Sequence, residues 1–100
     1  MSSVFTQKSF IEYVESKPEC ETAGLAQNGE HCPYSVYLRK LGFICSTGSE
    51  YVQYTKDGNH AIWRKHPKWL RKFVSRIDSF RGHVTFKIVN NILTDIVKGH

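Results

Sequence analysis

The sequence predicts an α+β fold: a single small domain of three to four helices with one β-hairpin. Its 100 residues suit one domain and are too few for two. Apolar residues recur at helical spacing in several separate stretches. Between them, Asp57-Gly58 separates two segments rich in aromatic and β-branched residues, a pattern typical of a hairpin.

The first thirty residues predict an acidic helix followed by a loop. Thr6 suits the cap of a helix over 6–16, in which Phe10 and Val14 share a face, and Pro18 ends it. Residues 19–31 are acidic and small, so we expect mostly loop there, with room for a helical turn over 21–26. The single domain of residues 1–100 thus divides into this segment, 1–30, and a main α+β core, 31–98.

A second helix begins at Pro33, a residue that favours the first helical position. Tyr34, Tyr37, Leu38 and Leu41 follow at apolar helical spacing, and Gly42 suits a left-handed exit. A short apolar run then has strand character over 43–45. The predicted hairpin pairs strands over 51–56 and 59–64 through a two-residue turn at Asp57-Gly58.

The third helix is predicted over 68–80, opened by Pro67, and it divides sharply into two faces. The apolar face holds Trp69, Leu70, Phe73, Val74, Ile77 and Phe80. The polar face holds Lys68, Arg71, Lys72, Ser75, Arg76 and Ser79. A fourth helix, which Thr85 suits as a cap, has an apolar stripe from Val89 to Val97, although 84–89 also has strand character.

Helix, helix and hairpin in this order also suit a winged-helix DNA-binding domain, with residues 33–41 as the recognition helix and 51–64 as the wing. That helix offers few residues that read bases, and the basic surface lies on a later helix. We therefore regard the winged helix as an alternative arrangement within the same fold class.

Charge is unevenly distributed along the chain. Residues 1–30 carry two lysines against five glutamates, a net charge of −3, whereas residues 31–100 carry twelve Lys and Arg against four Asp and Glu, a net charge of +8. A basic field of this kind attracts phosphates or acidic proteins. The acidic segment 12–30 is also a candidate for shielding the basic helix.

The basic residues cluster around the start of the third helix. They are Arg64, Lys65, Lys68, Arg71, Lys72 and Arg76. Cations in a first helical turn oppose the helix dipole, so their placement suggests an anionic partner that compensates them. The alternative is that their aliphatic stems cover apolar surface while the charged ends stay in water. Tyr51, Tyr54, Trp63 and Trp69 lie among these charges and could stack on bases, but we expect them to belong to the core.

No catalytic or metal-binding set emerges from the sequence. Three cysteines without a C-x2-C pair favour free thiols over a zinc site. Cys32 follows His31 at a helix start, where a thiolate is favoured, yet adjacent side chains rarely face each other, so we expect packing rather than a nucleophilic pair. The other histidines are expected at the surface: His60, His66, His83 and His100. We predict no enzyme activity and no cofactor.

The stretch from His31 to Ile96 resembles small phage and bacterial proteins of uncharacterised function. The resemblance rests on two patterns, H-C-P-Y-x-x-Y-L-x-x-x-G-F at 31–43 and P-x-W-x-x-x-F-V-x-x-I-D at 67–78. It implies no activity and assigns no functional residue.

These observations predict a cytoplasmic, non-enzymatic binding module that holds a polyanion, with nucleic acid as the first candidate. The polar start MSSVFTQKSF lacks the apolar centre of a secretory signal, and no apolar run is long enough to cross a membrane. The alternative is a phage or mobile-element protein that inhibits a host defence protein. Its basic residues would then bind an acidic surface of that host protein.

Overall fold

The computed structural model describes residues 4–99, which form four helices and five strands. Met1–Ser3 and His100 lie outside the described residues. In chain order the elements are α1 (Gln7–Glu15), β1 (Thr22–Leu25), α2 (Pro33–Lys40), β2 (Ile44–Thr47), β3 (Tyr51–Thr55), β4 (Ile62–Lys65), α3 (Lys68–Ile77), β5 (His83–Thr85) and α4 (Phe86–Val97). The predicted α+β class is confirmed.

The loop predicted over 19–31 is wrong in one part, because Thr22–Leu25 is a strand. β1 pairs antiparallel with β5, and this two-stranded sheet joins the acidic segment to the last third of the chain. Gly24 lies so close to the start of α2 that a Cβ atom would be 2.5 Å from the His31 carbonyl oxygen. Pairing with a strand some sixty residues away leaves no local periodicity, so β1 could not be recognised from its own residues.

Helices α1 and α2 begin and end as their local signals predict. The Thr6 hydroxyl accepts a hydrogen bond from the Ser9 amide at 3.1 Å, a cap worth about 1 kcal/mol. Gly42 takes a φ of 96° after α2, and the Phe43 amide then donates to the Leu38 carbonyl. Five of the eight residues of α2 are buried, so this helix has too little free surface to act as the recognition helix of a winged helix.

The predicted hairpin forms, but in a different register and with a longer loop. β4 pairs with β3 so that Tyr54 lies opposite Ile62, whereas a two-residue turn at Asp57-Gly58 would place Tyr54 opposite Ala61. The Asp57 carboxylate accepts hydrogen bonds from the Asn59 and His60 amides. These bonds hold the connection as a separate turn and keep it out of the strand ladder.

Helix α3 ends at Ile77, three residues earlier than predicted. The carbonyl of Asp78, its C-cap residue, accepts a hydrogen bond from the side-chain amide of Gln27 at 2.9 Å. The chain then turns at Gly82 to enter β5, and Phe80 lies outside the helix with 38% of its surface exposed. The assignment of Phe80 to the apolar helix face is therefore wrong.

Helix α4 begins after Thr85, whose hydroxyl caps it. The strand character predicted over 84–89 therefore belongs in part to β5, which ends at Thr85.

The core forms where α1 and α3 pack on α4, and α2 packs on α1, β1 and β2. Aromatic rings fill its centre, where Phe10 contacts Tyr34 and Phe73 edge-to-face at centroid distances of 5.2 and 5.3 Å. Among residues 4–99, no helix combines the length and apolar character needed to cross a membrane.

Candidate nucleic-acid interface

The first turn of α3 presents cations beside a groove. Lys68 and Lys72 line a groove of about 360 Å³ together with Trp69 and the α4 residues Ile96 and Val97. No acidic residue lies in this turn to balance the helix dipole. The groove therefore combines positive charge with apolar surface at one end of the helix.

Five of the six predicted cations have no carboxylate partner within the described part of the chain, and one of these five, Arg64, contacts the Phe5 ring instead. Lys65, Lys68, Arg71 and Lys72 form no ion pair with any Asp or Glu of residues 4–99. In particular, no glutamate of the acidic segment that lies within residues 4–99 pairs with these cations. The described structure thus shows no ion-pair shielding of these four charges.

Arg76 differs from these four residues because α4 supplies it with a carboxylate. Its guanidinium Nη2 donates to Asp95 Oδ2 at 3.1 Å, and both side chains are a little under half exposed. Arg76 does lie on the outward side of α3, as predicted. Its charge, however, is largely balanced within the protein.

The register of β4 places Arg64 and Lys65 on opposite faces of the three-stranded sheet. Arg64 lies on the inner face, where its Cζ atom is 4.7 Å from the centroid of the Phe5 ring, a cation–π contact. Lys65 lies opposite Tyr51 on the outer face. The structure therefore does not bring all six cations onto one surface.

The aromatic residues also divide, and the core assignment is wrong for two of them. Tyr54 contacts Phe43, and Trp69 contacts Tyr34, so both pack toward the core. Trp63 is 66% exposed and Tyr51 is 43% exposed, and the two rings lie on the outer face with centroids 6.5 Å apart.

A signal for this exposure was present in the sequence of β4. Two of its four residues are cations, and all four are exposed. Charged residues of this kind are typical of an edge strand. β4 is an edge strand in the order β2-β3-β4, and its register places Trp63 on the face directed away from the core.

His66, expected at the surface, is buried at 3% exposure. Its Nε2–H donates to the Gly48 carbonyl at 2.9 Å, and Nδ1 has no hydrogen-bond partner among the described residues. Burial lowers the pKa of His66 from its ordinary value of 6.5. The neutral ring therefore connects the β2–β3 turn to the start of α3 and adds no charge to the surface. His100 lies outside the described residues.

Cys32 and His31 interact with different partners. The buried Cys32 thiol is 3.6 Å from the Ser35 hydroxyl, to which it donates, whereas His31 Nδ1 is 3.3 Å from Asn28 Oδ1 on the exposed side. The arrangement indicates packing for Cys32. Within residues 4–99, no three His, Cys, Asp or Glu side chains come together in a way that could hold a metal ion.

Comparison with protein-family models, with curated proteins and with solved structures finds no match to this chain. The resemblance to small phage and bacterial proteins stays a prediction from the two sequence patterns.

Proposed function

We propose that this protein is a non-enzymatic binding module that holds nucleic acid through the basic surface at the start of α3. The surface consists of Lys65, Lys68, Arg71 and Lys72. Arg64 and Arg76, which complete the predicted set, contribute less because each already contacts another group of the protein.

The observation that carries the proposal is the combination of exposure and missing partners. All four side chains extend from the end of β4 or the first turns of α3, and no carboxylate of residues 4–99 neutralises them. Positive charge beside a helix amino terminus raises the local electrostatic potential, and this arrangement costs stability unless an anion approaches. Phosphate groups supply that compensation.

The mechanism is phosphate neutralisation with release of counterions. Each phosphate that a lysine or arginine contacts releases condensed cations from the nucleic acid, so the affinity decreases as the salt concentration rises. Contacts of this type carry no sequence information by themselves. We therefore expect binding with little sequence preference.

Charge reversal on α3 tests the proposal. The double variant Lys68→Glu/Lys72→Glu, measured by fluorescence anisotropy with labelled oligonucleotides, should bind more weakly and with a smaller salt dependence. Loss of two phosphate contacts lowers the slope of log affinity against log salt by about 1.4–1.8. Thermal unfolding of the variant should match that of the wild type, because Lys68 is exposed and Lys72 only partly buried.

The matched control is Arg81→Glu/Lys87→Glu, which changes the net charge equally at two exposed positions outside α3. The proposal predicts a much smaller loss of affinity for this control. Equal losses for both variants would show that only net charge matters and would overturn the assignment of the surface. A wild-type protein that binds no nucleic acid would overturn the function itself.

A further inference from the structure

We infer that the outer face of the three-stranded sheet is a stacking platform for the unpaired bases of a single-stranded nucleic acid. This inference rests on the proposed function and specifies the class of nucleic acid. It adds the aromatic side chains of the sheet to the basic surface of α3, with Lys65 common to both, so variants at Trp63 test it separately.

The sheet register defines the residues of this face. Tyr51 lies opposite Lys65, and Gln53 lies between Ser46 and Trp63, so all five side chains project to the same side. The opposite side carries Val52, Cys45 and Thr47, which are buried. No element of the described chain packs over the outer face at Trp63, which explains its high exposure.

The two aromatic rings of the platform contact each other and are both exposed to solvent. Their planes are inclined by 76°, so the edge of one ring meets the face of the other, and the ring faces outside this contact are open to a base. An exposed indole ring offers a flat π surface to a base, and the neighbouring Lys65 offers a cation to the phosphate beside it.

A shallow hollow of about 300 Å³ adjoins the rings and supplies polar groups. Ser46, Ser49 and Gln53 contribute hydroxyl and amide groups to it, and such groups both donate and accept hydrogen bonds with base edges. Glu50 also lines the hollow, and its carboxylate repels phosphate. The sugar–phosphate backbone is therefore expected on the Lys65 side, with the bases directed toward the hollow.

This chemistry favours a single strand over a duplex. In a duplex, each base face is covered by its neighbours, whereas a single strand presents faces that can stack on aromatic side chains. A flat sheet face with two aromatic rings also lacks the projecting helix or ribbon that enters a groove. Stacking uses the base and not the sugar, so DNA and RNA strands should both bind.

Removal of the indole ring tests the inference in the full chain. The probes are labelled oligo(dT), oligo(rU) and a duplex, each of about 20 residues per strand and thus longer than the site of about 4–16 nucleotides typical of a small domain. Trp63→Ala should weaken binding to both single strands by about tenfold, whereas Trp63→Phe, which keeps a ring, should lose much less. Duplex binding, which depends on α3, should change little in either variant.

The matched control is Ile62→Ala, which removes an exposed apolar side chain from the same strand but from the opposite face. It should leave all affinities unchanged. In the wild type, a single strand should also quench tryptophan fluorescence, and this quenching should become smaller in Trp63→Phe, in which only Trp69, beside Lys68 and Lys72, reports.

The outcomes separate this inference from the proposed function. If the wild type binds single strands with strong salt dependence but Trp63→Ala binds them equally well, the platform is wrong and the basic surface stands. The same conclusion follows if duplex binds more tightly than the single strands. If the wild type binds neither form, the proposed function is wrong, and the aromatic face would suit a protein partner instead.

Discussion

A single buried histidine links the two parts of the molecule to which we assign function. His66 precedes Pro67 and α3, and its ring donates to Gly48 in the β2–β3 turn, while its own amide donates to the Glu50 carbonyl. These bonds fix the start of the basic helix relative to the sheet. Any loss of the neutral ring therefore disturbs both surfaces at once.

The pKa of His66 gives the first prediction at this scale. Because burial lowers the pKa in the folded state, the unfolded chain binds the proton more tightly, and protonation favours unfolding. The His66 contribution to the free energy of unfolding should be constant above pH 6.5 and decrease as the pH falls below 6.5. Urea unfolding at a series of pH values measures this slope.

The control for this prediction is His66→Gln, which keeps an N–H donor for Gly48 and does not titrate. Its stability should depend less on pH in this window. Asp57 does not interfere with this measurement. Hydrogen bonds from the Asn59 and His60 amides lower its pKa from 3.8 to about 2, so Asp57 changes the stability only at pH values below about 3.8. An unchanged slope in the glutamine variant would contradict the assignment to His66.

At the scale of elements, α3 and α4 are joined by the ion pair between Arg76 and Asp95. Both side chains are partly exposed, so the pair is worth less than about 1 kcal/mol to stability. Asp95→Asn should therefore change thermal stability little. It should raise the affinity for nucleic acid, because Arg76 then joins the unpaired cations of the helix.

Asp78→Asn is the matched control, because it removes one exposed carboxylate at the same end of α3 as Arg76 without releasing a cation from an ion pair. Anisotropy titrations should show a larger gain for Asp95→Asn than for this control. Equal gains would mean that only the overall charge changed and that Arg76 takes no part in binding.

The amphipathic pattern of α3 was enough to predict the helix and the outward direction of its cations. The partner of Arg76 could not be predicted in the same way, because Asp95 lies on another helix and meets it only after packing. β1 was missed for a similar reason, since its partner strand is distant in the sequence. Local spacing records the faces of an element but not which element covers them.

The register of the hairpin decides on which face of the sheet Trp63 lies. A two-residue turn at Asp57-Gly58 would place Trp63 opposite Val52, on the buried face. The observed register places it opposite Gln53, on the exposed face. Since alternate residues face opposite sides of a strand, a shift of one residue reverses every side chain of β4. The local hydrogen bonds from the Asn59 and His60 amides to Asp57 accompany the longer loop of this register, and the Asp57-Gly58 dipeptide alone does not specify that loop.

At the scale of the whole molecule, the charge asymmetry agrees with one continuous binding region. Residues 31–100 carry +8 and residues 1–30 carry −3, and within residues 4–99 no glutamate of the acidic segment pairs with Lys65, Lys68, Arg71 or Lys72. The end of β4 and the start of α3 are adjacent in the chain, so Lys65 belongs to both the sheet face and the helix surface. A strand held by both would contact phosphates along α3 and stack bases on the sheet.

The salt dependence of binding by the wild-type chain tests the central claim most directly. Anisotropy titrations of labelled oligo(dT), repeated between about 50 and 200 mM salt, should give a straight line of log affinity against log salt. Four phosphate contacts predict a slope near −2.8, at about −0.7 per contact for a single strand. An affinity that does not change with salt would contradict phosphate neutralisation and, with it, the assignment of this surface.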